Sequence, residues 1–273
     1  MDFEIYSFEK LDSTNKYCRK LGKKGIKKPT VVLSDIQTDG VGRLGRRWFS
    51  DFGGLYFSIL LNYSEYIKTT EYVGKLNFIG GVSVYETLAK YINKNFGLKF
   101  PNDVVVCSDY DFNFNKKNIN KNINNKNNNR NKINSNKNGI YSKYKKISGL
   151  LSEISIENNY IILGIGININ NKIDDKIKDC ATSLYEINHG EYNRYNIFKE
   201  FLNIFKENYH LSDKKILKKY KKYSITLNKT VKITTSKKEY VGKVEDIDYN
   251  GIYLKLNDGS VKNIQTGDCI HLR

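Results

Sequence analysis

No run of about 18 apolar residues occurs in the chain, so no membrane-spanning helix is expected. The first residues, Met1-Asp2-Phe3-Glu4-Ile5, lack the basic, apolar and small-residue order of a secretory signal. They also lack the arginine-rich, acid-poor character of a transit peptide. A cytoplasmic protein is the expectation. Cysteine is sparse: Cys18, Cys107, Cys180 and Cys269 lie far apart, and no Cys-x-x-Cys occurs. The three histidines, His189, His210 and His271, form no ligand spacing with them. A zinc site or a disulfide framework is therefore not expected, and scattered thiols suit a reducing compartment. Proline is scarcer still, with two residues where average usage of ~5% would give about fourteen.

What is present is a 273-residue chain with 39% hydrophobic and 27% charged residues and a net charge of +17. That length allows one large domain and a small one. Such a charge points first to nucleic acid. Residues 108–146, however, carry ten Lys/Arg against two Asp, so +8 of the +17 sits in one stretch. That stretch, about 108–145, is low-complexity and rich in Asn and Lys (NKKNINKNINNKNNNRNKINSNKN). It has too few apolar residues to offset the entropy of ordering, and reads as a disordered insert in a surface loop. Its charge is accordingly discounted. Without it, the apolar runs DVVVC and KISGLLSEISI become neighbours.

Elsewhere, Asp12, Ser13 and Asn15 are good N-cap types that open a short helix running through about Leu21. Thr30–Ile36, Leu55–Leu61, Ile147–Ile156 and Tyr160–Ile167 read as strands. Val73, Leu76, Ile79, Val84, Leu88 and Ile92 recur at helical spacing. Tyr195–His210 and Leu211–Lys222 read as two more helices. Strands and helices mixed without a strict βαβ rhythm predict an α+β fold. From about residue 227 the texture changes to short strands separated by Lys237-Lys238, Asn250-Gly251 and Asp258-Gly259. These turn signals predict a small β-barrel over 227–273, after a larger domain over 1–226.

Several stretches have the composition of a ligand site. Gln37 to Trp48 contains Gly40, Gly42 and Gly45 in a G-x-G-x-x-G pattern. A dinucleotide fold needs a helix directly after those glycines, and Arg46-Arg47-Trp48-Phe49-Ser50 does not open one. The other reading is a flexible loop presenting Arg43, Arg46 and Arg47, whose guanidinium groups pair with carboxylate and phosphate. A solvated basic loop anchored by Trp48 stands beside it. Lys99-Phe100-Pro101-Asn102-Asp103 places a proline turn between strand-like runs, with Asn102 and Asp103 free to orient a nucleotide or a metal ion. As a bare sequence it is an ordinary turn. Lys146-Ile147-Ser148-Gly149 puts a lysine and a glycine on one strand, and Gly inside a strand often marks close approach of a ligand. Gly164 and Gly166 alternate on a buried strand that ends at Asn168, leaving one face bare for a flat ligand or for tight packing. Ser13-Thr14-Asn15 offers hydroxyls and an amide to a small polar ring, and also makes a good helix cap.

In order along the chain, Asp-Ser-Thr-Asn, Gln-Thr-x-Gly-x-Gly-Arg-x-Gly-Arg-x-Trp, Lys-x-Pro-Asn-Asp, Lys-Ile-x-Gly-Leu-Leu-x-Glu and Gly-Ile-Gly-Ile-Asn resemble the biotin–protein ligase family. The resemblance covers Asp12 to Asn170 outside the insert. It implies a mixed sheet packed with helices, as in class II synthetase-like catalytic domains, followed by a small SH3-like β-barrel. It implies ATP-dependent ligation of biotin to a lysine of a biotin carboxyl carrier domain through biotinyl-5′-AMP, with Mg²⁺. Because the chain starts at the catalytic domain, it resembles the short form without a DNA-binding domain, working as a monomer or homodimer.

By the same resemblance, Ser13, Thr14, Asn15 and Gln37 line the biotin ring pocket, and Val41, Gly42 and Arg43 belong to a loop that folds over the adenylate. Arg43 holds phosphate, and Arg46 and Trp48 meet the nucleotide. Asn102 and Asp103 stand at the ATP end, with Asp103 as the candidate Mg²⁺ ligand. Lys146 bridges the biotin carboxylate and the α-phosphate, and Asn168 touches the nucleotide. Arg43 and Lys146 are the expected catalytic pair. Val41 stands where many members carry Arg or Lys, and Phe100 replaces the usual Trp. A lipoate–protein ligase shares the implied fold, but is expected to lack the arginine-glycine loop with its Trp.

Overall fold

The computed structural model describes residues 1–68, 74–107, 144–265 and 267–272. The insert and Val73, the first residue of the expected helical stripe, fall largely or wholly outside them. Among the described residues no helix is long and apolar enough to cross a membrane.

Two sheets organise the chain. The larger is built from β1 (Glu4–Leu11), β2 (Thr30–Gln37), β3 (Leu55–Asn62), β4 (Phe96–Lys99), β5 (Asp103–Cys107), β6 (Tyr144–Ser155) and β7 (Tyr160–Ile167). Its order is β1-β2-β3-β7-β6-β5-β4. β1 and β2 run parallel, so they need a crossover, which α1 (Thr14–Lys24) supplies. The other neighbouring pairs are antiparallel. The α+β expectation holds, with the mixed sheet at its centre. β1 was not foreseen. It is an edge strand with five exposed side chains, so little apolar alternation marks it in the sequence.

β7 is buried along its whole length, because both faces of the sheet are covered there. Strand alternation sends Ile161, Leu163, Ile59 and Leu61 into one core and Ile162, Leu60 and Val32 into the other. The first core is closed by α3 (Lys75–Leu88), α5 (Arg194–Tyr209) and α6 (Asp213–Tyr223), and the second by α1. Two five-residue helices, α2 (Tyr63–Ile67) and α4 (Leu184–Asn188), complete this part. The α1 face of β3 and β7 changes character along its length. After Leu60 and Ile162 come Ser58, Gly164 and Gly166, and the N-terminus of α1 lies over this small-residue region.

The insert joins two paired strand ends. Cys107 of β5 is the register partner of Tyr144 of β6, so the two described strand ends that flank it in sequence lie side by side.

The second sheet holds β8 (Thr230–Thr234), β9 (Glu239–Asp248), β10 (Gly251–Leu256), β11 (Val261–Ile264) and β12 (Asp268–His271) in the order β11-β10-β9-β8-β12. The small C-terminal β unit is therefore present. It is a five-stranded antiparallel sheet, consistent with the small β-barrel unit expected, and among the described residues β11 and β12 do not pair to close it. The Asn250-Gly251 signal is also displaced by one residue. Gly251 pairs with Asp248, so Tyr249 and Asn250 form the turn and Gly251 takes the left-handed backbone at φ 131°.

Candidate active site

A cavity of about 440 Å³ opens at the small-residue end of the sheet. Its walls come from the start of α1, the loop after β2, the β4–β5 turn, β6, β7 and the segment beyond it, and β12. Every site residue expected from the sequence lines it: Ser13, Thr14, Asn15, Gln37, Val41, Gly42, Arg43, Arg46, Trp48, Asn102, Asp103, Lys146 and Asn168.

The start of α1 forms one end. Ser13 occupies the N-cap position but makes no side-chain cap hydrogen bond, contrary to its reading as a cap. The capping acceptor is Gln37: its Oε1 accepts from the Thr14 backbone N–H at 2.9 Å and from the Thr14 hydroxyl at 3.1 Å. Gln37 in turn donates through Nε2 to Ser50 at 3.0 Å. Ser58, fully buried on β3, contacts both the Thr14 hydroxyl at 2.7 Å and the Asn15 carboxamide oxygen at 2.5 Å. Gly164 makes room for Asn15, since a Cβ there would lie 2.2 Å from Asn15 Oδ1.

The glycine-rich loop folds as a narrow ribbon. Gln37 bridges Ser50, and Val41 bridges Arg47. At its tip Leu44 and Gly45 take left-handed backbone, with φ of 56° and 72°, and the turn Arg43–Gly45 is a single 3-10 turn rather than the helix of a dinucleotide fold. Trp48 lies against the bare strand face. A Cβ on Gly166 would sit 2.5 Å from its indole, and one on Gly149 would sit 3.1 Å away. In this structure the indole itself therefore takes up the glycine floor. Its N–H is buried and has no hydrogen-bond partner among the described residues, leaving a donor beside the cavity.

Lys146 enters from β6, its backbone fixed on one side by Cys180 and Thr182 at 2.7 and 3.0 Å. Its ammonium is 2.6 Å from Asp103 and 5.2 Å from the Trp48 ring centroid. Arg43 reaches across to donate to Asn102 Oδ1 at 3.2 Å and to the Gly267 carbonyl at 3.1 Å. Burial pulls its guanidinium below the ordinary arginine pKa, with Asp103 opposing and Arg46 adding to the effect. A group in that position gains from an anion placed beside it. Arg46 is ion-paired with Asp268 of β12. Asn168 is nearly buried and its amide is engaged within the protein, donating to the Thr182 carbonyl at 3.0 Å and accepting from Asn171 at 3.1 Å. Six basic side chains and four aspartates line the cavity, so it carries a positive excess suited to a polyanionic ligand.

Sequence reasoning did not find Ser58, Arg19, Gly267 or Asp268, since none belongs to a recognisable pattern. Glu153 did stand in the quoted lysine-glycine motif, without a role.

The architecture is that of an enzyme class with known structures. Biotin protein ligase from Aquifex aeolicus, in complex with biotin and ATP, matches with a TM-score of 0.73 and 30% identity over 99% of each chain. Biotin protein ligase from Leishmania major, in complex with biotinyl-5-AMP, shares the fold with a TM-score of 0.59 at 17% identity, over 96% of this chain and 99% of that one. The bifunctional ligase/repressor BirA of Bacillus subtilis is 25% identical over 271 residues, covering 94% of this chain and 71% of that protein. The model of the biotin/lipoate A/B protein ligase family matches residues 7–170, and the chain belongs to that family.

Proposed function

We propose that this protein joins biotin to a lysine of a biotin carboxyl carrier domain in two steps. In the first, a biotin carboxylate oxygen attacks the α-phosphorus of ATP, and pyrophosphate leaves. In the second, the carrier's amine attacks the acyl carbon of biotinyl-5′-AMP, AMP leaves, and a proton is released. The observation that carries the reading is the convergence of Arg43 and Lys146, from segments a hundred residues apart in the chain, on the one cavity whose other end is the polar start of α1.

A carboxylate is a poor acyl donor until its charge is neutralised and a leaving group attached. Lys146 is placed to bridge carboxylate and α-phosphate, and Arg43 and Arg46 to hold phosphate oxygens. This is catalysis by positioning and charge rather than by an enzyme nucleophile. Ser13, Thr14, Asn15 and Gln37 form the ring pocket. Val41 and Gly42 offer their backbone, and Trp48 with the Asn102 turn and Asn168 borders the nucleotide. Asn168 contributes shape there, since its amide is already bonded within the protein.

The donor set also fits Mg²⁺ carried in with the nucleotide. Among the described residues no group of three or more His, Cys, Asp or Glu could hold a metal alone. Mg²⁺ is commonly held by one or two carboxylates together with phosphates, and of the four cavity aspartates Asp103, beside Lys146, is the one we assign to this role. When bound, the ion would neutralise phosphate charge.

The direct test is ATP–pyrophosphate exchange driven by free acids. Biotin is expected to drive exchange and lipoate to leave it at background. Exchange with lipoate alone would make this a lipoate ligase, and exchange with neither acid would remove the ligase reading. The nucleic-acid alternative is tested by deleting residues 109–143 and closing β5 and β6 with a short glycine turn. Because Cys107 and Tyr144 already pair, the deletion is expected to leave biotin-driven exchange within about twofold, as loop length changes closure entropy only slowly. Loss of exchange together with loss of a salt-sensitive affinity for nucleic acid would favour the alternative.

A further inference from the structure

Glu153, the last residue of the lysine-glycine motif on β6, has no place in the reaction as described, yet it grips the ring pocket from behind. Its carboxylate accepts from the Asn15 carboxamide nitrogen at 2.7 Å. Arg19, one turn along α1, holds the same carboxylate with Nε at 2.6 Å and Nη2 at 3.2 Å. A carboxylate can only accept, so the Asn15 NH₂ group must face Glu153 and its oxygen must face Ser58.

That orientation has a consequence for the pocket. The oxygen pairs Asn15 Oδ1–Ser58 Oγ, Ser58 Oγ–Thr14 Oγ1 and Thr14 Oγ1–Gln37 Oε1 lie 2.5, 2.7 and 3.1 Å apart. Only the Ser58 and Thr14 hydroxyls bring hydrogens to these contacts, so one pair is a hydrogen short. The corner is acceptor-rich, and a ligand N–H is the group that suits it. With Asn15 turned over, its NH₂ would donate to Ser58, Ser58 to Thr14 and Thr14 to Gln37. Every pair would then be satisfied within the protein, and a ligand N–H would meet no acceptor. We propose that Glu153, locked by Arg19, is a positioning residue that sets the hydrogen-bond polarity of the ring pocket through Asn15, selecting a cyclic ligand that presents N–H donors. The inference rests on the proposed biotin reading.

The test is Glu153→Gln, which keeps the shape but lets residue 153 donate as well as accept. Biotin KM is expected to rise about tenfold or more, the scale of losing a hydrogen bond tied to a charged group. ATP KM is expected to stay within about twofold and the thermal midpoint to be retained. In an Asn15→Ala background the same substitution should change biotin KM little, because the route through Asn15 is gone. Unchanged biotin KM, an equal rise in both KM values, or effects that multiply independently of Asn15 would each overturn the proposal. Should Glu153→Gln fail to fold, Arg19→Gln carries the same test on the more exposed partner, with a rise of about threefold expected from the loosened carboxylate. Wild-type protein without biotin-driven exchange would instead defeat the functional reading itself.

Discussion

Lys146→Ala is expected to slow adenylate formation by about 10²–10³, the scale of removing one preorganised charge-stabilising donor, while leaving the fold in place. The strand does not depend on this side chain. β6 is held at residue 146 by backbone bonds to Cys180 and Thr182. The side chain does two things in the cavity. Its ammonium lies 2.6 Å from Asp103; on the proposed function it keeps that carboxylate from repelling incoming phosphate and brings positive charge to where two anions meet. Truncation removes both effects, and Asp103→Asn in the Lys146→Ala background separates them. Recovery of rate in the double variant measures the repulsion, and the deficit that remains at saturating Mg²⁺, where any hold on the ion supplied by Asp103 is compensated, measures the lost cation. Single-turnover pyrophosphate release reports the first step. Transfer from supplied biotinyl-5′-AMP reports the second and should be far less affected. Pyrophosphate release near the wild-type rate would exclude Lys146 from activation.

Which parts of this structure were legible in the sequence depended on whether a residue's partner was near it or far away. β7 was legible because every side chain in Tyr160–Ile167 is buried, giving an unbroken apolar run. α5 was legible because Ile197, Phe198, Phe201, Leu202 and Phe205 form one buried stripe. β1 was not, as its face is half in solvent, and β12 has only four residues. Within the site, the motif residues share one cavity, but their bonding could not be foreseen. Arg46 pairs with Asp268 across 222 positions, and Asn15 with Glu153 across 138. Ser13 illustrates the converse. Its local pattern is that of a cap, yet the acceptor for the helix start comes from Gln37 on β2, and the Ser13 hydroxyl is left out of the capping.

Arg43→Gly is expected to uncouple activation from retention. The Arg43 side chain ties the tip of the glycine loop to two separate walls, through Asn102 on the β4–β5 turn and the Gly267 carbonyl beside β12. No other tip residue does the same: Leu44 is 76% exposed, and Arg46 reaches Asp268 from a solvent-exposed position. Removing the guanidinium cuts both ties and also removes the buried cation that the proposed function assigns to the phosphate, and glycine adds backbone freedom at a turn that already contains left-handed residues. The adenylate should then leave about 10- to 100-fold faster, as expected for the loss of hydrogen bonds to a charged group. Because the mixed anhydride acylates amines unaided, labelling should spread to lysines of an unrelated bystander protein added to the reaction. Arg43→Lys should fall between wild type and Arg43→Gly, since it keeps the charge but not the two-pronged geometry. The measurement is biotin incorporated into bystander and carrier in one mixture, alongside the rate of adenylate escape into solution. A variant that releases adenylate no faster and labels only the carrier would show that the loop is closed by something other than Arg43.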